Sequence, residues 1–361
     1  MLTEGNLIIV NSVYHLINAV NIKDKMLSGQ RTDLLVTDIT PALREYIPNI
    51  IQSGVFDSVI YAVTKDLIKK YTNVSTAEIN AGYDNYQKVI SLSLNAELKE
   101  YKRIFFANFD TFVRMLALKY ENSEFVWYED GFSSYVIDYL RPERAAVNLN
   151  PKAIKIKQLV THALLYEPRL AMRGDNIPNR PLCKILADDK ALIKKLNFIF
   201  SYKPGAGRDY RFIFLEQSFR AEGIKSNDIE LIKECSEAAG DKGFIVKPHP
   251  RNADNLAFEL GLCRGFYKSY PFELELLNSD SDSVIITVCS NAALTPKLMM
   301  DKDTPTIMLY KLFEGKVLWK EDDILFKFLE QFYNLYAGPY YFVPRTIYEL
   351  RNTIKYLGGI L

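Results

Sequence analysis

Along its first half the chain alternates short runs of aliphatic and β-branched residues with longer stretches in which apolar positions recur at helical spacing. That is the pattern of parallel strands buried on both faces and joined by covering helices. Strands are predicted at residues 7–10, 33–37, 58–62, 103–107 and 124–128. The stretch 66–98 is longer than a crossover needs and predicts additional helices. Over 141–200 the strand pattern fades, and Pro142, Pro151, Pro168, Pro178 and Pro181 punctuate helical or irregular chain, as between two domains. After the turn-rich Lys203-Pro204-Gly205-Ala206-Gly207-Arg208 a second alternating series predicts strands at 211–215, 244–247, 284–288 and 306–309. The last stretch, 344–357, carries Ile347, Leu350, Ile354 and Leu357 at helical spacing, and its helix is expected to pack on either domain or back across the first.

Two doubly wound α/β domains follow from this pattern, set at 1–190 and 191–361 with the boundary region near 180–205. Ligands of such domains bind outside the carboxyl ends of the strands, so a cleft collecting those ends is the expected site. A chain of 361 residues, 48% hydrophobic and 25% charged, has material for two cores and no disordered bias. Its formal net charge of +1 offers no basic footprint for nucleic acid. Cys183, Cys235, Cys263 and Cys289 occur singly, which predicts reduced, buried thiols and no metal site. The start, Met1-Leu2-Thr3-Glu4-Gly5-Asn6, has no signal-peptide pattern, and no apolar run approaches the roughly 20 residues of a membrane-spanning helix. A cytoplasmic location, with peripheral association at the inner membrane face and a homodimer as further expectations, is the reading. The 23 Tyr and 21 Phe suit sugar stacking but serve first as core filling.

The predicted strand 124–128 runs into Glu129-Asp130-Gly131, placing two carboxylates at a strand's carboxyl end where a glycine permits a sharp turn. A carboxylate in a dry cleft can take the proton of an attacking hydroxyl. The bland alternative is a turn with a solvated acid. After strand 244–247 comes Lys247-Pro248-His249-Pro250-Arg251, a histidine between two prolines with cationic neighbours. It reads as an anion pocket in which an imidazolium stabilises or protonates a leaving phosphate, against the commoner packed or surface histidine. Cys289-Ser290-Asn291 precedes Ala292-Ala293-Leu294 and reads as a helix start whose N–H groups hold phosphate, or as an ordinary N-cap. Glu273, in Tyr270-Pro271-Phe272-Glu273-Leu274, is a ribose-hydroxyl acceptor or a solvated first-turn glutamate. Asp280-Ser281-Asp282 matches a metal-diphosphate pattern but sits where a turn belongs. Gly205-Ala206-Gly207 precedes its strand rather than following it, so no nicotinamide or flavin cofactor is expected.

In order along the chain, these pieces resemble a family. Glu129-Asp130-Gly131 and His249-Pro250 are similar to the two short motifs of bacterial sialyltransferases, and the Pro-His-Pro-Arg and Ser-Asn-Ala-Ala-Leu segments resemble the lipooligosaccharide and capsule group, glycosyltransferase family 52-like. Asn11-Ser12-Val13-Tyr14-His15-Leu16 also looks like that group's start. The resemblance implies a GT-B arrangement of two Rossmann-like domains facing a cleft, a CMP-sialic acid donor, a glycan acceptor, inversion and no metal. It places His249 at the CMP phosphate with Lys247, Pro250 and Arg251 beside it, Glu273 at the ribose, and Ser290 with Asn291 at the phosphate oxygens, although such families often have two serines there. Glu129 or Asp130 is the expected base, with Glu216 and Glu222 as rivals after the first strand of the second domain. Two other readings stand beside this one: a related enzyme using another CMP-nonulosonic or ulosonic acid or a different nucleotide sugar, and a non-catalytic subunit of a polysaccharide assembly complex.

Overall fold

The computed structural model describes residues 5–70, 75–139, 150–203, 210–240, 242–249, 251–252, 254–263, 270–279, 283–315, 322–336 and 338–360. Pro250, the Asp280-Ser281-Asp282 turn and the Gly205-Ala206-Gly207 loop lie outside the described residues. The chain divides into two compact units, Met1–Tyr202 and Lys203–Leu361. The helix Lys190–Ile199 packs on helices of the first unit, so the division falls at 202 rather than 190.

The first unit is a parallel sheet of β1 (Gly5–Val10), β2 (Thr32–Thr37), β3 (Ser58–Ala62), β4 (Tyr101–Phe106), β5 (Glu124–Tyr128), β6 (Val160–Leu165) and β7 (Asn179–Pro181), in the order β3-β2-β1-β4-β5-β6-β7. Every residue of β1 and β2 is buried, as central parallel strands covered on both faces require. Trp127, Phe106, Phe109, Phe112 and Phe125 form the core under one face, with the Phe109 ring set edge-on to Trp127 at 4.8 Å. Helix α1 (Val13–Lys25) is capped by the Ser12 hydroxyl, which accepts the His15 N–H at 3.2 Å. Its buried Asn18 and Asn21 are bonded: Asn18 Nδ2 donates to the Glu129 carbonyl at 3.0 Å, and Asn21 Nδ2 to that of Cys183 at 2.6 Å.

The second unit is a parallel sheet of β8 (Phe212–Leu215), β9 (Phe244–Lys247), β10 (Val284–Thr287), β11 (Thr306–Met308) and β12 (Tyr341–Phe342), ordered β12-β11-β10-β8-β9. Both orders reverse direction once, between β1 and β4 and between β8 and β10. In doubly wound sheets those switch points are where loops diverge and leave a crevice.

Beyond the unit boundary, the structure departs from expectation in four places. The segment expected to be helical or irregular contributes β6 and β7, which extend the first sheet; β7 is an exposed edge strand, where Pro181 removes no needed ladder bond. The two-residue β12 adds an unexpected edge to the second sheet. Asn291–Ala293 is a single 3₁₀ turn before a short helix, Thr295–Met300, rather than the start of a long helix. Cys183 is exposed, in the irregular chain after β7 where Leu182 and Ile185 take the buried positions, whereas the other three thiols are buried. The helix Ile347–Ile360, which the sequence left free to pack on either domain, buries Leu350, Ile354 and Leu357 against the helix Asp228–Ala239 of its own unit, with Arg351 paired to Glu234 at 2.6 Å. Among the described residues, no helix is long and apolar enough to cross a membrane.

Candidate active site

Glu129 and Asp130 leave the carboxyl end of β5 and turn at Gly131, whose φ of +76° is a conformation that glycine adopts without strain. Their side chains go to different surroundings. Glu129 is completely buried. Its Oε1 accepts the Tyr14 hydroxyl at 3.0 Å, and its Oε2 accepts the Tyr135 hydroxyl at 2.5 Å and the Tyr166 backbone N–H at 2.8 Å. These donors favour the charged form, but burial outweighs them, and with the neighbouring Asp130 charge it pushes Glu129 up to about 7. Burial and the nearby Glu129 likewise raise the Tyr14 and Tyr135 hydroxyls well above their usual value, so both are donors at neutral pH.

Asp130 keeps 26% of its side chain exposed. Its Oδ1 meets His15 Nε2 in a short contact, and its Oδ2 accepts Asn108 Nδ2 at 2.9 Å. Behind these donors stands Asn11, at the carboxyl end of β1. Its backbone N–H donates to His15 Nδ1 at 3.2 Å, and its side-chain amide reaches Asn108 Oδ1 at 3.4 Å and Asp110 Oδ2 at 3.1 Å. The Thr37 hydroxyl, at the end of β2, donates to Asn11 Oδ1 at 2.9 Å. The strand ends around the first switch point are thus joined to the acidic pair.

In the second unit His249 follows β9. Its backbone N–H donates to Glu216 Oε2 at 3.2 Å, and its Nδ1 accepts the Arg251 N–H at 3.2 Å. With Nδ1 an acceptor, the ring carries its proton on Nε2 when neutral. Burial, then the Arg251 charge, lowers the His249 pKa, while Glu222 opposes the shift. That direction makes the imidazole a neutral ring at neutral pH, with its Nε2–H available as a donor. Arg251 is well exposed and reaches Glu222 Oε1 at 2.6 Å. Lys247 Nζ donates to the Tyr270 carbonyl at 2.8 Å, tying the end of β9 to the chain before the helix Phe272–Asn278. Glu273, on the first turn of that helix, is half-buried; burial raises its pKa and the Lys247 charge opposes it, so it is not the fully solvated glutamate of the bland reading. After β10 the Ser290 N–H donates to Thr287 Oγ1 at 3.1 Å, and the Ser290 hydroxyl caps the 3₁₀ turn through the Ala292 N–H at 3.4 Å. Asn291 Oδ1 is a buried acceptor with no partner among the described residues.

The rival bases are both engaged. Glu216, buried at the end of β8, accepts Arg220 Nη2 at 3.0 Å and Asn252 Nδ2 at 2.7 Å besides the His249 N–H. Glu222 accepts the Ser218 hydroxyl at 2.7 Å as well as Arg251. Their geometry is that of a latch on the His249 loop. Among the described residues no three His, Cys, Asp or Glu side chains group so as to hold a metal ion.

A family model described as alpha-2,8-polysialyltransferase (POLYST) matches residues 6–310, spanning both switch points and every site residue above. The chain belongs to that family. No curated protein matches the sequence. Among solved structures, the α/β-galactoside α-2,3-sialyltransferase of the luminous marine bacterium Photobacterium phosphoreum is similar at 12% identity, covering 97% of this chain and 100% of that one with a TM-score of 0.53. UGT89C1 of Arabidopsis thaliana, complexed with quercetin, is similar at 10% identity over 99% and 91% of the two chains, TM-score 0.53. The kitacinnamycin glycosyltransferase matches at 12% identity over 99% and 91%, TM-score 0.51. These likenesses show the GT-B fold. The family match makes the chain a glycosyltransferase of the sialyltransferase class.

For a polysialyltransferase-family chain the sequence motifs name the acidic pair and the histidine but not what holds them. Tyr14, His15, Asn108, Tyr135 and Tyr166 all contact the pair. Only Tyr14 and His15 fall in a segment that the sequence singled out. Tyr166 follows a strand the sequence did not show, and Asn108 reads as an ordinary loop residue after β4. The available signal was position: each lies within a few residues of a strand's carboxyl end.

Proposed function

We propose that the protein transfers sialic acid from CMP-sialic acid to a glycan hydroxyl with inversion and without a metal ion. The observation that carries this reading is the divergence of the two neighbouring carboxylates within a sialyltransferase-family chain. One is buried and raised to about 7, and the other is held as an acceptor by two N–H donors. Such pairs divide their roles: the raised group exchanges a proton near neutral pH and the other supplies fixed charge. Glu129 is accordingly the general base. Its Oε2 is closed by Tyr135 and Tyr166, so it acts through Oε1, where the acceptor hydroxyl displaces the partly exposed Tyr14. As the acceptor oxygen bonds to the anomeric carbon, its proton passes to Glu129 and the bond from that carbon to the CMP phosphate oxygen breaks through an oxocarbenium-like state. The departing phosphate takes a hydrogen bond from His249 Nε2, with Ser290 and Asn291 at its other oxygens, Arg251 supplying charge, and Glu273 at the ribose. Lys247 holds the chain before Glu273 through its bond to the Tyr270 carbonyl.

The family's description names α-2,8-linked polymer, so a sialoside is the first acceptor to test. The test is incubation with CMP-sialic acid and a panel of sialosides and galactosides, read by mass spectrometry. Glu129→Gln and His249→Ala are each expected to lower turnover by on the order of a hundredfold or more. Wild-type turnover in either variant removes that residue from its role, and absence of any sialylated product with the parent chain removes the reading.

A further inference from the structure

The geometry points to His15 as the positioning residue that fixes the charge beside the base: its ring is locked as the neutral Nε2–H tautomer by the Asn11 backbone and donates that proton's hydrogen bond to Asp130. The proposal rests on Glu129 as base and deepens that reading. A backbone N–H has only a donor to offer, so the ring nitrogen it meets, Nδ1, must present its lone pair. The single ring proton of a neutral imidazole then lies on Nε2, the atom facing Asp130 Oδ1. The lock is rigid: His15 is 1% exposed, sits in the first turn of α1 under the Ser12 cap, and packs edge-on against the Tyr128 ring with centroids 5.8 Å apart.

Asn11 acts on both oxygens of Asp130 at once. Its backbone sets the tautomer of His15, which binds Oδ1, and its side chain orders Asn108, which binds Oδ2. With both oxygens accepting from N–H groups, the carboxylate stands as an oriented anion adjacent to Glu129. The other titratable groups around the pair are Tyr14 on α1, Tyr128 on β5, Tyr135 in the turn after Gly131, Tyr166 after β6 and Asp110 beyond Asn11. Among the described residues none of these brings a positive charge to Asp130, and Arg173, which binds the Ser134 carbonyl, pairs with Asp175. Asp130 is thus oriented by N–H donors beside Glu129, and its charge is one cause of the upward shift there.

The tautomer is read directly from ¹⁵N spectra of histidine-labelled full-length protein. Only three histidines are present, and His15→Phe identifies the resonance. At neutral pH the His15 signals are expected to be those of a neutral ring protonated on Nε2; a ring protonated on Nδ1 or on both nitrogens overturns the proposal. His15→Phe keeps a ring edge-on to Tyr128 and loses the donor. It is expected to lower kcat on the order of tenfold to a hundredfold, the rate equivalent of one hydrogen bond to a charged group, with KM for CMP-sialic acid unchanged. His15→Gln, whose amide nitrogen takes the place of Nε2, is expected to recover most of that loss. Combined with Asp130→Asn, His15→Phe is expected to cost no more than Asp130→Asn alone, because it acts only through that carboxylate. An unrescued Gln variant or fully additive losses mark a merely structural histidine and overturn the proposal. Full turnover in Glu129→Gln would instead remove the base assignment, and the spectra would still report the tautomer.

Discussion

Two carboxylates adjacent in sequence, directly after the end of β5, differ because their side chains leave the chain in different directions. Glu129 points into the tyrosine cluster and Asp130 toward the strand ends, so one is desolvated and the other is served by donors. The raised Glu129 has a consequence for stability whose sign is fixed. The folded chain holds its proton up to about pH 7, whereas the unfolded chain releases it near the ordinary glutamate value of 4.5. Stability from this group is therefore fully present below pH 4.5 and is lost as pH rises toward 7, by up to roughly 1.4 kcal/mol per pH unit. In Glu129→Gln the amide oxygen keeps the Tyr135 and Tyr166 donors, and the NH₂ donates to the Tyr14 oxygen. That variant is expected to melt above the parent at pH 8 and to match it at pH 5, measured by calorimetry. An equal gap at both pH values would mean that Glu129 is ionised throughout. In the parent the acid limb of kcat/KM is expected near pH 7, and in Asp130→Asn it moves lower, because the Asp130 charge is one cause of the upward shift.

At the scale of elements, the segment between β8 and the chain after β9 behaves as one piece. Glu216 accepts from Arg220, Asn252 and the His249 backbone, and on the proposed reading it is expected to fix where the imidazole sits rather than take a proton. Glu216→Ala leaves buried donors without an acceptor, at a cost of about 1–3 kcal/mol. It is expected to raise KM for CMP-sialic acid while leaving the acid limb of the pH profile in place. A fall in kcat at constant KM would return Glu216 to the role of base. The same elements show what was legible in the sequence. β5 and β9 are predicted to the residue because each is a short apolar run buried on both faces and ended by a change of chemistry. β6 was hidden because Thr161 and His162, at its start, are polar and partly or fully exposed, and β7 because it is an exposed edge containing a proline. Tyr166 went unseen with β6, and with it one of the three donors to Glu129. Partnerships of that kind depend on which strands lie side by side, and the β4-β5-β6 order joins residues far apart in the chain.

For the whole molecule, the two strand orders matter more than their strand counts. Each sheet reverses where its chemistry collects: Asn11 and Asn108 close on each other across β1 and β4, and Cys289 Sγ reaches Gln217 Oε1 at 3.4 Å across β8 and β10. Around the second switch point, His249 follows β9, Ser290 and Asn291 follow β10, and Glu273 stands on the first turn of the helix leading into β10, at the carboxyl side of one sheet where doubly wound folds hold nucleotides. The similar structures, which include plant and bacterial enzymes, share that fold at 10–12% identity and leave the base of the nucleotide to this chain's own loops. Ligands that bind only the folded state raise its stability by about 2.7 kcal/mol at a hundred times Kd. CMP is therefore expected to raise Tm by several degrees, with CDP weaker and UDP and GDP without effect. In His249→Ala the CMP shift is expected to shrink, because one donor to the phosphate is gone, whereas Glu129→Gln leaves it intact. Stabilisation by UDP or GDP instead of CMP would keep the fold and the switch-point site but replace the donor, and an undiminished CMP shift in His249→Ala would detach the histidine from the phosphate.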